Sequence, residues 1–216
     1  MKIFTFKKRQ IGNHLSVNNS FKSFVMLVAI MLMTASNAFG EVINGLRYML
    51  DSETKTATLL PKTDKYSGDI VIPEKVKGND GVEYTVTSFG DNCFDDCSGL
   101  ISITIPSSVT SLGDYCFAGC SGLTSISIPS SVTSLGWSCF SGCSGLTSIT
   151  IPSNVTSLEG YCFEGCSGLT SISIPSNVTS LGYYCFAGCS GLTSISIPSN
   201  VTSLGYNCFE GCSGLT

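Results

Sequence analysis

From Ile105 onward the chain repeats itself every 23 residues. The unit reads IPSSVTSLGDYCFAGCSGLTSIS, and near copies start at Ile128, Ile151, Ile174 and Ile197. A fixed period of this length predicts stacked coils, because one short unit cannot bury its own apolar face and must share it with its neighbours. An earlier, divergent copy starts at Ile72-Pro73 and resumes at Val86-Thr87-Ser88-Phe89-Gly90. Between Val76 and Val86 the chain carries Asn79-Asp80-Gly81, a strong tight-turn signal. A hairpin inserted into the first coil is therefore predicted over 77–85.

Within a unit, Leu123-x-x-Ile126-x-Ile128 matches the LxxLxL strand of leucine-rich repeats. Period-2 alternation puts Ile126 and Ile128 on one face and Ser125 and Ser127 on the other. Pro129 then ends the strand, since it has no N–H to give a ladder. Val132 and Leu135 are expected to point inward from the returning arc, as are Cys116, Phe117 and Cys120 one coil earlier. Stacking superposes each residue on its equivalent 23 positions away, so Leu100, Leu123, Leu146, Leu169, Leu192 and Leu215 form one apolar ridge. The predicted fold is a β-rich leucine-rich-repeat solenoid of parallel strands stacked coil on coil, about six coils over 71–216. Residues 41–70 differ in composition and read as an N-terminal β cap over the end of the ridges. The last unit stops part-way at Thr216, so the sequence is expected to be truncated or to continue into further repeats.

The first forty residues read as a leader. Lys7, Lys8 and Arg9 precede the apolar run Phe24–Met33, and Ala38-Phe39-Gly40 places small residues where a signal peptidase reads them. A transmembrane anchor is the alternative, but ten apolar residues rise only about 15 Å as a helix, half a bilayer core. The chain is expected to be exported, cleaved before Glu41, without a membrane span afterwards. No cysteine follows the cleavage site, which argues against a lipid anchor. Beyond Gly40, six Lys and Arg face fifteen Asp and Glu, a balance of −9, and no cation follows Lys77. Such a surface cannot neutralise phosphates, which excludes nucleic acid as a natural partner. The single histidine, His14, leaves with the leader, removing the commonest general base and metal ligand. No glycine-rich phosphate loop or convergent acid pair replaces it. No enzymatic activity and no cofactor are therefore expected.

The pattern L-T-S-I-x-I-P-S-x-V-T-S-L-G-x-x-C-F-x-G-C-S-G, held in register over about Ile70 to Thr216, resembles the BspA-like subgroup of leucine-rich repeats. That family occurs in surface proteins of host-associated anaerobic bacteria and some protozoan parasites. One departure is visible: the family commonly has Ala before the Phe, where this chain has Cys93, Cys116, Cys139, Cys162, Cys185 and Cys208. The resemblance implies secreted or cell-surface adhesion, typically to host matrix proteins or to other microbes, and no catalytic residues; glycans join the expected ligands through the exposed Tyr and Trp side chains, which suit sugar rings. The alternative function is a structural spacer presenting a domain beyond residue 216.

Two features could carry chemistry. All twelve cysteines lie in the repeats as C-x-x-x-C pairs. They read as two columns of buried thiols, with inter-coil disulfides as the rival and metal binding as a third, weaker reading. The two positions before each first cysteine vary freely between copies: Asp91-Asn92, Asp114-Tyr115, Trp137-Ser138, Gly160-Tyr161, Tyr183-Tyr184 and Tyr206-Asn207. That variety predicts an exposed band, with Tyr115, Trp137, Tyr161, Tyr183, Tyr184 and Tyr206 as candidate partner-binding residues, since such rings bury much area at low entropy cost. The alternating Ser and Thr of the strand face form a second candidate surface. Asn154-Val-Thr156 and its copies at Asn177 and Asn200 fit the glycosylation pattern but count as one repeated observation.

Overall fold

The computed structural model describes residues 40–216. The leader expected over 1–40 lies, Gly40 apart, outside the described residues. Every regular element among the described residues is a strand, and no helix there is long and apolar enough to cross a membrane.

The repeats form a leucine-rich-repeat solenoid whose coils hydrogen-bond along three sides. The first side is a six-stranded parallel sheet of β4 (Gly68–Val71), β7 (Leu100–Thr104), β9 (Ser125–Ser127), β11 (Ser148–Thr150), β13 (Ser171–Ser173) and β15 (Ser194–Ser196). Its register sets Ser148, Ile149 and Thr150 opposite Ser125, Ile126 and Ser127, each residue on its copy 23 positions earlier. Ile126 and Ile149 are buried while Ser125, Ser127, Ser148 and Thr150 are exposed, as period-2 alternation requires. Each proline that follows opens a turn closed by the valine three residues on, as Val132 N–H donates to the Pro129 carbonyl at 3.0 Å.

The second side is built from β6 (Glu83–Phe89) and the two-residue strands β8 (Ser111–Leu112), β10 (Ser134–Leu135), β12 (Ser157–Leu158), β14 (Ser180–Leu181) and β16 (Ser203–Leu204). These strands belong to two sheets, one ending at β10 and the other starting at β12. The break has a visible cause. A glycine follows the Ser-Leu strand at Gly113, Gly136, Gly182 and Gly205, and its N–H donates to the coil before, as Gly136 does to the Leu112 carbonyl at 2.9 Å. At this column the coils approach so closely that a Cβ on Gly136 would collide with the backbone of Gly113. In the coil starting at Ile151 the position holds Glu159, which has that Cβ, and no ladder joins β10 to β12 among the described residues.

The third side is the C-F-x-G-C arc. Phe94, Phe117, Phe140 and Phe163 donate their N–H groups to the carbonyls of Cys116, Cys139, Cys162 and Cys185, one coil on, at 2.7–2.8 Å. Their rings stack in parallel with Phe186 and Phe209 at centroid spacings of 5.1–5.5 Å, an offset-stack separation favourable to aromatic pairs. The ridge Leu100, Leu123, Leu146, Leu169 and Leu192 is fully buried beside Val132 and Leu135 and their copies; Leu215 is half-buried.

Residues 41–60 form three antiparallel strands, β1 (Glu41–Ile43), β2 (Leu46–Asp51) and β3 (Thr56–Leu60), and β3 pairs in parallel with β6. A further strand, β5 (Lys75–Lys77), pairs antiparallel with the start of β6, opposing Lys77 to Glu83. Its connecting turn is closed by Gly78 N–H on the Val82 carbonyl.

Candidate functional site

The cysteines are components of the core. All twelve are free, and every one but the half-buried Cys212 is buried. In the second column the thiols of Cys120, Cys143, Cys166 and Cys189 donate to the phenylalanine carbonyls of the coil before, at 3.1–3.2 Å. Cysteine suits this place because it is small and apolar yet supplies one weak donor to a carbonyl that water cannot reach. Burial raises the pKa of Cys116, Cys139, Cys162 and Cys166 well above the ordinary thiol value and that of Cys143 to about 12. Thiols held in the protonated form are poor nucleophiles and poor metal ligands. Among the described residues no three His, Cys, Asp or Glu gather where they could hold a metal ion.

The variable positions before each first cysteine are unusual in backbone as well as in side chain. Asn92, Tyr115, Ser138, Tyr161, Tyr184 and Asn207 all lie in the left-handed region, with φ between 53° and 57°. Asparagine tolerates that region, whereas tyrosine and serine adopt it at a cost of roughly 1 kcal/mol. The conformation aims the N–H groups of the first five at the next coil: Tyr115 donates to the Trp137 carbonyl at 2.7 Å and Tyr161 to that of Tyr183 at 2.9 Å.

The expectation that this whole band faces solvent is corrected. Tyr183 and Tyr206 are exposed, at 45% and 75%. Tyr115, Trp137, Tyr161 and Tyr184 are half-buried, Gly160 is buried, and Ser138 is only 4% exposed. The variety of side chains is absorbed by rings packing on one another. Trp137 stands perpendicular to Tyr115 and to Tyr161, with centroids 5.7 and 5.2 Å away. Tyr161 stacks flat on Tyr184 at 5.1 Å and meets Tyr183 edge-on at 5.2 Å. Gly160 makes this closure possible: a Cβ there would strike the Trp137 indole nitrogen and lie 3.1 Å from the Tyr183 ring. Desolvation, and after it the neighbouring Tyr184, Tyr183 and Glu164, raise the pKa of the Tyr161 phenol.

The acids of the band divide by role. Asp91 and Asp114 are structural, accepting the N–H groups of Asp114 and Trp137 one coil on at 2.9 and 2.7 Å. Glu164 and Glu210 line the surface beside the rings. Ser141 donates to Glu164 at 3.2 Å, and Asn207 bridges the Tyr184 hydroxyl at 3.0 Å and Glu210 at 2.6 Å. Two hollows result. One, of about 460 Å³, runs over the arc past Ser141, Glu164, Tyr184, Ala187 and Glu210. The other, of about 220 Å³, is bounded by Tyr115, Trp137, Ser138, Ser141, Tyr161 and Glu164.

On the strand face, Ser102, Thr104, Ser125, Ser127, Ser148, Thr150, Ser171, Ser173, Ser194 and Ser196 are all exposed. The asparagines of the three Asn-Val-Thr motifs work as clamps: Asn154, Asn177 and Asn200 donate to Ser130, Ser153 and Ser176 carbonyls one coil back at 2.7–2.8 Å.

Coils of this period, hydrogen-bonded on three sides around leucine and phenylalanine columns, define a leucine-rich-repeat protein. Residues 87–216 match six copies of the BspA-type leucine-rich-repeat region. The chain belongs to the BspA-type leucine-rich-repeat family. It is similar to the crystal structure of a leucine-rich-repeat protein from Bacteroides ovatus, with 33% identity and a TM-score of 0.72 over 81% of this chain and 45% of that one. A leucine-rich cell surface protein from Faecalibacterium prausnitzii aligns at 28% identity and a TM-score of 0.63, over 82% of this chain and 53% of that one. The T. pallidum leucine-rich-repeat protein shares the fold, at 24% identity and a TM-score of 0.70, over 82% of this chain and 91% of that one. The chain thus spans about half the length of the first two. No curated protein matches it.

Proposed function

We propose that this chain is an exported cell-surface or secreted binding protein, an adhesin that contacts host matrix proteins, glycans or other microbes through the solenoid surface. Binding rather than catalysis is its task. The observation that carries this reading is the tyrosine column. Three of six left-handed positions hold tyrosine where asparagine would sit with less strain. Strain that persists where a cheaper residue is available points to a function for the side chain. The rings of Tyr115, Tyr161 and Tyr184, joined by Trp137, Tyr183 and Tyr206, form the partner-binding surface. A family relative is itself a leucine-rich cell surface protein, which fits an exported role.

The test is a triple substitution, Trp137→Ala, Tyr183→Ala and Tyr206→Ala, offered with the parent chain to arrays of matrix proteins and glycans. Contacts of this kind are worth about 1–2 kcal/mol each, so any ligand of the parent should lose at least about a hundredfold in affinity. Unchanged binding with an unchanged circular dichroism spectrum would move the site to the serine-rich strand face.

A further inference from the structure

The smaller hollow has the construction of a cation box. Three of its walls are aromatic: Tyr115 and Tyr161, two coils apart in one column, and Trp137, perpendicular to both. Tyr161 is backed by Tyr184, whose parallel ring holds it in place. The space exists because the coil between the two tyrosines carries Ser138, the smallest residue of its column. Glu164 lines the same hollow, and its carboxylate accepts a hydrogen bond from Ser141 at 3.2 Å. The surroundings are negative throughout, for nine acids and no Lys or Arg follow Lys77.

Aromatic faces present negative charge from their quadrupoles, and a nearby carboxylate adds to it. Such a box attracts cations. Among them it favours those that water holds weakly, because a strongly hydrated ammonium gives up more solvation on entering an aromatic space than the rings return. We propose that Tyr115, Trp137, Tyr161 and Glu164 bind a methylated ammonium group of the choline type. The proposal deepens the reading of the aromatic band as a binding surface and rests on it. It assigns to one part of that band a ligand chemistry, leaving the exposed Tyr183 and Tyr206 to wider contacts.

The molecule supplies its own reporter, since Trp137 is the only tryptophan in the chain. Titrating the full chain with choline should give a saturable change in tryptophan emission. Dimethylbutanol, the neutral carbon isostere of choline, should bind at least about tenfold more weakly, the difference a single good cation–π contact makes. Phosphocholine should also bind more weakly, because its phosphate meets only negative charge. Tyr115→Asn and Tyr161→Asn each install the residue already present at Asn92 and Asn207, so the backbone is preserved; each should weaken choline binding about tenfold. Glu164→Ala, which copies Ala118 and Ala187, should weaken choline while leaving the isostere unaffected. The absence of saturable choline binding, or equal binding of choline and its isostere, would overturn the proposal. Array binding that depends on Tyr183 and Tyr206 would survive that result, so the cage and the wider binding face fail separately.

Discussion

The two strand ladders of this solenoid are made by the same repeats, yet only one is continuous. The Leu-x-x-Ile-x-Ile ladder runs unbroken from β4 to β15, while the Ser-Leu ladder stops at β10 and resumes at β12. The difference lies in what fixes coil spacing on each side. Along the first ladder, side chains project away from the sheet, so a new residue does not push coils apart. Along the second, the step after the strand brings backbone against backbone, and only glycine fits. Glu159 severs that contact, and its neighbour Gly160 occupies the position where other coils carry Asp114, Trp137, Tyr183 and Tyr206. The same two residues that open the ladder therefore let Trp137 and Tyr183 close over the gap. The coil boundary is held meanwhile by the arc, through Phe140 and Gly142 N–H groups, and by the Asn154 clamp.

The largest expected effect acts on the central coils on both sides of the local break and so sets a baseline for it. The folded protein keeps the thiols of Cys116, Cys139, Cys143, Cys162 and Cys166 protonated by burial, whereas the unfolded chain ionises them from the ordinary value of 9.0 upward. Above that pH the folded state binds more protons than the unfolded state, so stability must fall as pH rises. It is independent of these groups below pH 8. Between 9 and the raised values, about 12 for Cys143, each of these five thiols costs about 1.4 kcal/mol per pH unit. Denaturant titrations at neutral pH and at pH 10 should differ by several kcal/mol, and thiol alkylation at neutral pH should require denaturant. Equal midpoints at both pH values, or rapid alkylation of the native protein, would show that the cysteine columns are open.

A second ladder break can be made at will. Gly136→Ala introduces the offending Cβ where the β8–β10 pairing is intact, and should cost about 1–3 kcal/mol, the usual range for forcing an extra methyl into a packed site. If Gly136→Ala unfolds at the parent's denaturant midpoint, glycine is not what sets the spacing.

Much of this was legible in the sequence because repetition converts one observation into six. The leucine ridge, the inward Val132 and Leu135, the Ile–Ser alternation and the parallel register all follow from a 23-residue period and simple alternation. The variable band was harder. Variation between copies signals tolerance, and tolerance was equated with solvent exposure at Ser138 and Gly160. Both are buried: the rings of Trp137 and Tyr183 close on Gly160 from the coils on either side, and Ser138, at 4% exposure, lies in the hollow lined by Tyr115, Trp137 and Tyr161. The left-handed backbone of Tyr115, Tyr161 and Tyr184 left one trace, the asparagines at 92 and 207 in the same column, since asparagine marks such positions. Glu159 was equally visible as the single exception in a column of glycines. Its consequence for the ladder depends on how near the coils come, which spacing along a chain does not report.

Repairing the break is the smallest effect and the most discriminating. Glu159→Gly removes the Cβ and allows the bonds that the other boundaries make, residue 159 to the Leu135 carbonyl and Thr156 to that of Thr133. Each is worth about 0.5–1.5 kcal/mol, and the added glycine forfeits about 0.5–1 kcal/mol in backbone entropy, so global stability should barely move. The local effect should be plain instead. Exchange of the amides at 156 and 159 should slow roughly tenfold, the factor that 1.4 kcal/mol provides, while amides at Gly113 and Gly205 stay as they were. A healed ladder also draws the coils together beneath Trp137, so its emission should shift with the same substitution. If the amides at 156 and 159 exchange as fast in Glu159→Gly as in the parent, the carboxylate-bearing residue is a passenger, and the gap belongs to the aromatic cluster that straddles it.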